Sequence, residues 1–290
     1  MTRTGMALAL TVAWIVAASS MDRAHAQIAT PPACQNVTAP RTTVFFVNGV
    51  TTTLDDARLN AGKLELEFLN RLPGMSAAVQ ANCHVFALNY NPTGGEVNDF
   101  FEAAQQQLDI TPTRFWLELE GLNLFTRELI RDALEAPLTD LNRIDASTIE
   151  RHAVAYREQI ASPSCRRVLI VPHSQGNLYT NAAYDLLFSQ APSPPAGAIK
   201  IVGVATPAQT VAGNGLYRTS TTDVLINAIR LIRPGTLPPN TNWGISPLLL
   251  SPTYSGGHSF IGYLSADPSR THILSDIESS LTELAAVNPC

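Results

Sequence analysis

The stretch RRVLIVPHSQGNLYTNAAYDLL, residues 166–187, carries a serine where a hydroxyl could serve as a nucleophile. Ser174 lies in Pro172-His173-Ser174-Gln175-Gly176, after an apolar run and before a helix-like segment. A serine hydroxyl attacks a carbonyl only once a base takes its proton. At a strand-to-helix corner of this kind, the acid and then the histidine come from later in the chain. Few residues qualify. After Ser174 there are two histidines, His258 and His272, and between Ser174 and His258 two acids, Asp185 and Asp223. Asp185 is three turns down the expected helix, about 16 Å away at 1.5 Å per residue. It cannot orient a histidine at the helix head, which leaves Asp223. His258 follows Gly256-Gly257, and glycines let the backbone bring an imidazole into a crowded site. His272 lies inside the helix-like THILSDIESSLTEL. The candidate set is Ser174 as nucleophile, His258 as base and Asp223 as the acid behind it. His173 is read as facing away from the serine and packed in the core, and His84 and His152 as structural.

Acyl transfer also needs two backbone donors for the charge that develops on the carbonyl oxygen. One candidate is the N–H of Gln175, directly after the serine. The other is the N–H of Val50, in Val47-Asn48-Gly49-Val50 at the end of the first apolar run. A plain glycine turn at Gly49 is the competing reading. A nucleophile at such a corner wants small residues two before and two after it, usually glycines. Gly176 fills the second place and Pro172 the first. A proline there gives up its N–H, which is tolerable at the last residue of a strand.

The elements that must hold these residues are legible as alternating patterns. Thr43–Val47, His84–Asn89, Arg167–Val171 and Ile199–Val204 are continuous apolar runs, predicting strands buried on both faces. Leu54–Leu72 predicts a helix ended by Pro73-Gly74, and Ser147–Ile160 a helix opened by the capping-box pattern Ser147-x-x-Glu150. Asn177–Leu187 predicts the helix after the serine, and Leu216–Thr222 a strand leading to Asp223. Strand and helix in alternation mean an α/β fold with a mostly parallel sheet. Two segments are longer than connections require. Residues 96–142 are rich in aromatic and leucine residues at helical spacing, and read either as further core helices or as a helical cap over a site. Residues 234–257 hold five prolines and Trp243, and read either as a rim of the site or as a disordered stretch.

The chain has 290 residues, 45% hydrophobic and 15% charged, with a formal charge of −5. That suits one large domain with a substantial core, and the lack of a basic cluster argues against nucleic acid as a partner. Residues 1–26 have the layout of a secretory signal peptide: Arg3, the apolar MALALTVAWIVAA, then Ala24-His25-Ala26. The mature domain is expected to span residues 27–290, without a membrane span, in the periplasm or outside the cell. Four cysteines in an exported chain favour disulfides. Cys34, Cys83 and Cys165 precede expected strands and Cys290 follows the last helix, all at the end of a parallel sheet away from Ser174. Four cysteines allow three pairings, among which their positions point to Cys34–Cys83 and Cys165–Cys290. No spacing suggests a metal site, and no cofactor is implied.

Together VFFVNGV, VPHSQG, TSTTDVLIN and GGHSFIGYL resemble the α/β-hydrolase superfamily, and within it lipase- and esterase-like serine hydrolases. The resemblance covers about residues 43–286. It implies an α/β-hydrolase sheet with flanking helices and a helical cap-like insertion at residues 96–142. It implies a Ser174–His258–Asp223 triad, an oxyanion hole from Gln175 and Val50, and small-molecule or lipid-like ester substrates. Asn48 stands where such enzymes often carry histidine, and Pro172 where they carry glycine. The same triad also serves amide and thioester hydrolysis, and a scaffold of this shape could act as a non-catalytic binding protein of the cell envelope.

Overall fold

A strand buried on both faces needs an apolar side chain at nearly every position, and this chain supplies four such runs. The computed structural model describes residues 41–49, 52–92, 145–161, 163–242 and 257–289. In it, β1 (Arg41–Val47), β2 (Cys83–Asn89), β3 (Arg167–Pro172), β4 (Ile199–Val204) and β5 (Leu216–Arg218) form one sheet in the order β2-β1-β3-β4-β5. Every pairing among them is parallel, which makes the described part an α/β fold. The four apolar runs are strands close to the expected bounds. The run Leu216–Thr222 is strand only over its first three residues.

The helices are α1 (Leu54–Arg71), α2 (Ala77–Gln80), α3 (Ala146–Ile160), α4 (Gly176–Ser189), α5 (Val224–Ile232), α6 (Phe260–Ser265) and α7 (Ser269–Ala285). Helix α1 stops at Arg71, and a 3-10 turn, Leu72–Gly74, carries the chain past Pro73. Helix α3 departs from the expected capping box. Its cap is Asp145, whose carboxylate accepts the Thr148 N–H at 2.8 Å and the Ser147 hydroxyl. The Ser147 hydroxyl first, and Thr148 after it, hold Asp145 down at about 2. An ionised cap outcompetes a serine because its charge also faces the positive end of the helix.

Side chains alternate across the sheet, so each apolar run feeds two cores. Val44 and Phe46, Leu169 and Val171, Val202 and Val204 point to one face, where they meet Leu64 and Phe68 of α1, Ile226 of α5, Phe260 of α6, and Ile277 and Leu281 of α7. Phe45 and Val47, Val168 and Ile170, Ile199 and Ile201 point to the other, against Tyr156 and Ile160 of α3 and Ala183 and Leu187 of α4. A buried residue of this kind contributes about 1.5–3 kcal/mol by leaving water.

The strand order explains where a site can form. The chain leaves β1 sideways to β2 through α1, then returns across β1 to β3 through a segment that includes α3. Crossovers of one hand running in opposite directions put α1 and α3 on opposite faces. Beyond the carboxyl ends of the adjacent strands β1 and β3, the connections therefore part in opposite directions and open a crevice, the usual place for a ligand on such a sheet. Gly49 follows β1 there and Ser174 follows β3.

Cys83 opens β2 and Cys165 precedes β3, both at the end of the sheet away from this crevice. Neither is a free thiol. Cys34 and Cys290 lie outside the described residues, as do the expected signal peptide and the segments 96–142 and 243–256. Among the described residues no helix is long and apolar enough to cross a membrane. Nor does any group of His, Cys, Asp and Glu among them have the arrangement to hold a metal ion.

Candidate active site

At the end of β3 the chain must reverse from strand to helix within a few residues. Ser174 takes the bend, with φ 54°, in the left-handed region that a non-glycine residue enters at a cost of about 1–2 kcal/mol. The strain is held by bonds on both sides. The His173 N–H donates to the Val47 carbonyl at 2.9 Å, and the Ser174 N–H to the Val204 carbonyl at 3.1 Å. Helix α4 then starts at Gly176 with Gln175 as its cap residue. A Cβ on Gly176 would fall 2.6 Å from the Val47 carbonyl oxygen and 2.7 Å from that of Asn48. Glycine is required because the helix head abuts the end of β1.

Pro172 occupies the last position of β3, opposite Val47 of β1. On its other side the ladder to β4 runs only from Val168 to Ile170 and resumes as a single bridge between His173 and Val204. Asn177, in the first turn of α4, reaches into the interval. Its Nδ2 lies 2.9 Å from the Ser174 carbonyl oxygen, 3.1 Å from that of Val204 and 3.3 Å from that of Pro172. Across from it, a Cβ on Gly203 would fall 2.4 Å from Asn177 Oδ1. The side-chain amide thus adds a donor to the carbonyls around the corner, the Val204 oxygen taking the Ser174 N–H as well, and Gly203 makes the room.

The expected partners meet Ser174. His258 Nε2 lies 2.8 Å from Ser174 Oγ, and His258 Nδ1 lies 2.9 Å and 3.1 Å from the two oxygens of Asp223. A carboxylate only accepts, so Nδ1 carries the proton and Nε2 is left to accept the serine hydroxyl. All three are buried: Asp223 is 0% exposed, Ser174 4% and His258 8%. Asp223 is also the N-cap of α5, where its Oδ1 accepts the Ile226 N–H at 3.0 Å. His258 sits between Gly257, at φ 77°, and Ser259, the cap of α6. That positive φ is the glycine freedom the sequence pattern suggested. His272 lies on α7, where its Nδ1 is 2.9 Å from Thr241 Oγ1.

His173 is buried as expected, but it is more than packing. Its ring sits 4.9 Å from that of His258, and its Nε2 is 2.8 Å from the His258 carbonyl oxygen. Burial, with the neighbouring His258 ring adding to it, holds His173 well below the usual histidine range. The ring is therefore neutral at ordinary pH. Facing a carbonyl, it must carry its proton on Nε2. The residue beside Ser174 thus grips the backbone of His258.

Two residues just past the end of β1, Asn48 and Gly49, fix the chain there. Gly49 is needed for space: a Cβ there would lie 2.5 Å from Ser174 Cβ and 3.1 Å from Ser174 Oγ. Asn48, fully buried, clasps the loop after β2. Its Nδ2 donates to the carbonyls of Gly49 (2.9 Å) and Asn91 (2.8 Å), and its Oδ1 accepts the Asn91 N–H at 2.7 Å. Asn91 in turn donates from Nδ2 to Gln175 Oε1 at 3.3 Å. Val50, the second expected oxyanion donor, lies outside the described residues.

Sequence reasoning missed the roles of His173, Asn177, Asn91 and Tyr263. Tyr263 donates its hydroxyl to Asp223 Oδ2 at 2.8 Å. Only Tyr263 left a usable signal, being a tyrosine in an apolar helix close after the histidine, where a buried hydroxyl must find a partner. No family model, curated protein or solved structure matches the chain, and the case for its function rests on this site.

Proposed function

We propose that the chain is a serine hydrolase that cleaves carboxylic esters through an acyl-enzyme on Ser174, on an α/β-hydrolase fold. The observation that carries the reading is the unbroken line from Ser174 Oγ through the His258 ring to the buried Asp223. In the first half-reaction Ser174 Oγ bonds to the ester carbonyl carbon as its proton passes to His258 Nε2. Asp223 keeps the ring in the Nδ1–H tautomer and stabilises the cation that forms. The proton then goes to the alkoxide as the carbon–oxygen bond breaks, and the alcohol leaves. Water repeats the sequence on the acyl group and restores the serine.

The Gln175 N–H, at the head of the fourteen-residue α4, and the Val50 N–H are proposed as the oxyanion donors. The positive end of the helix favours the same charge. An acyl or lipid-like substrate over a charged one rests on the apolar character of residues 96–142 as a cap. Export to the periplasm or beyond rests on residues 1–26, and the pairings Cys34–Cys83 and Cys165–Cys290 on their places along the chain.

A fluorophosphonate probe tests the reading. The wild-type protein should be labelled at Ser174, and Ser174→Ala should take up none. Equal labelling of both would remove the enzyme reading. Matched aryl esters, anilides and thioesters would then rank the substrate classes.

A further inference from the structure

Tyr263 lies in α6 with no exposed surface, and its ring belongs to the core between the sheet and helices α1 and α7. Its hydroxyl, however, is spent at the site. The oxygen accepts the Ser220 N–H at 2.8 Å, so the single phenolic proton goes to Asp223 Oδ2, also at 2.8 Å. Burial first, and the charge of Asp223 after it, push the phenol far above its usual range, which keeps it a donor. Asp223 then has a full set of donors: the Ile226 N–H on Oδ1, Tyr263 on Oδ2, and the His258 Nδ1–H against both. Each donor draws off part of the carboxylate's charge.

We propose that Tyr263 is a positioning residue for the hydrolase reaction, one that locks the Asp223 carboxylate in the His258 plane and limits how strongly it attracts the ring. The inference rests on the hydrolase reading for its catalytic meaning and on these four bonds for its geometry. The other groups around the pair do not duplicate the role. His173, from the β3–α4 corner, holds the His258 carbonyl and is neutral, and Ser174 faces Nε2. Arg230, on α5, feels the charge of Asp223 but directs its guanidinium to the Leu237 carbonyl and Asn227 Oδ1.

Tyr263→Phe keeps the ring and removes only the hydroxyl. With one donor fewer, Asp223 attracts the imidazolium more strongly. The acid limb of kcat/KM, and the midpoint of the His258 ring titration followed by NMR, should then both move up by about half a pH unit or more. The value of kcat/KM at neutral pH should fall about tenfold, the size of one lost orienting contact. Replacing Tyr263 by 3-fluorotyrosine strengthens the donor and should move both readouts down. A role in packing alone would lower the melting temperature and leave both midpoints in place, and that result would overturn the proposal. If Tyr263→Phe fails to fold, the fluorinated residue decides. If the wild type neither takes the phosphonate nor cleaves esters, the hydrolase reading falls, while the ring titration still decides whether Tyr263 governs the Asp223–His258 pair.

Discussion

His173 shows how much one residue can do without touching a reacting atom. Its Nε2–H holds the His258 carbonyl at 2.8 Å, and its backbone is joined directly to Ser174. Ser174 and His258 are thereby coupled through a single side chain, and their 2.8 Å separation does not depend on loop stiffness alone. His173→Phe should keep the edge contact with Phe260 and lose the bond. We expect kcat to fall about tenfold with KM little changed, because only the alignment of base and serine is disturbed. Steady-state kinetics on a soluble ester would show the split, and an equal change in KM would point to a rebuilt pocket instead. The triad itself was legible in sequence because elimination left one acid and placed one histidine on a glycine-led loop. His173 was not, since a histidine beside a nucleophile reads the same whether its ring packs or bonds. Its orientation is decided by the fold of Gly257-His258-Ser259, which only the tertiary structure supplies.

The corner between β3 and α4 is where an element-level rule was bent and repaired. Pro172 cannot donate to β4, Asn177 ties the two strand ends together by a further donor near the Pro172 and Val204 carbonyls, and Gly203 leaves space for the amide. Asn177→Ala should cost about 1 kcal/mol, because the Ser174 and Val204 carbonyls keep the Asn177 and Ser174 N–H groups and lose only the side-chain amide. Gly203→Ala should also destabilise, since its methyl would meet Asn177 Oδ1 at 2.4 Å. In the Asn177→Ala background that clash is gone. The double variant should therefore be more stable than the two single effects predict, by about 1 kcal/mol or more in urea unfolding. Simple additivity would show that Gly203 serves the strand and not the amide. The strands were readable from their apolar runs, and so was the parallel order of α and β. The cap of α3 was not, because Ser147-x-x-Glu150 matched a local rule that Asp145, two residues earlier, satisfied better.

Across the whole molecule, buried histidines make the fold acid-sensitive. Burial holds His152 at about 4, and burial likewise lowers His84 and His173. In the unfolded chain each takes up a proton near the ordinary value of about 6.5. The sign follows: their contribution is complete above pH 6.5 and is lost as pH falls towards the folded values. For His152 the loss between pH 6.5 and 4 is up to about 3 kcal/mol at 1.36 kcal/mol per unit. Melting temperature should drop through that interval, and His152→Gln should flatten the slope by about one proton. A wild-type profile flat from pH 7 to 4 would contradict this. The sheet order has a consequence of another kind. The five described strands pair in parallel, so none of their ladders can start from a tight hairpin, and β1, which lies between β2 and β3, must capture both across long intervening chain. Such closures precede the contacts that repay them, which makes nascent chains slow to commit and leaves sticky strands bare meanwhile. A protein wired this way depends on its escorts: recombinant yield should respond to chaperone supply more than to any change at Ser174, His258 or Asp223.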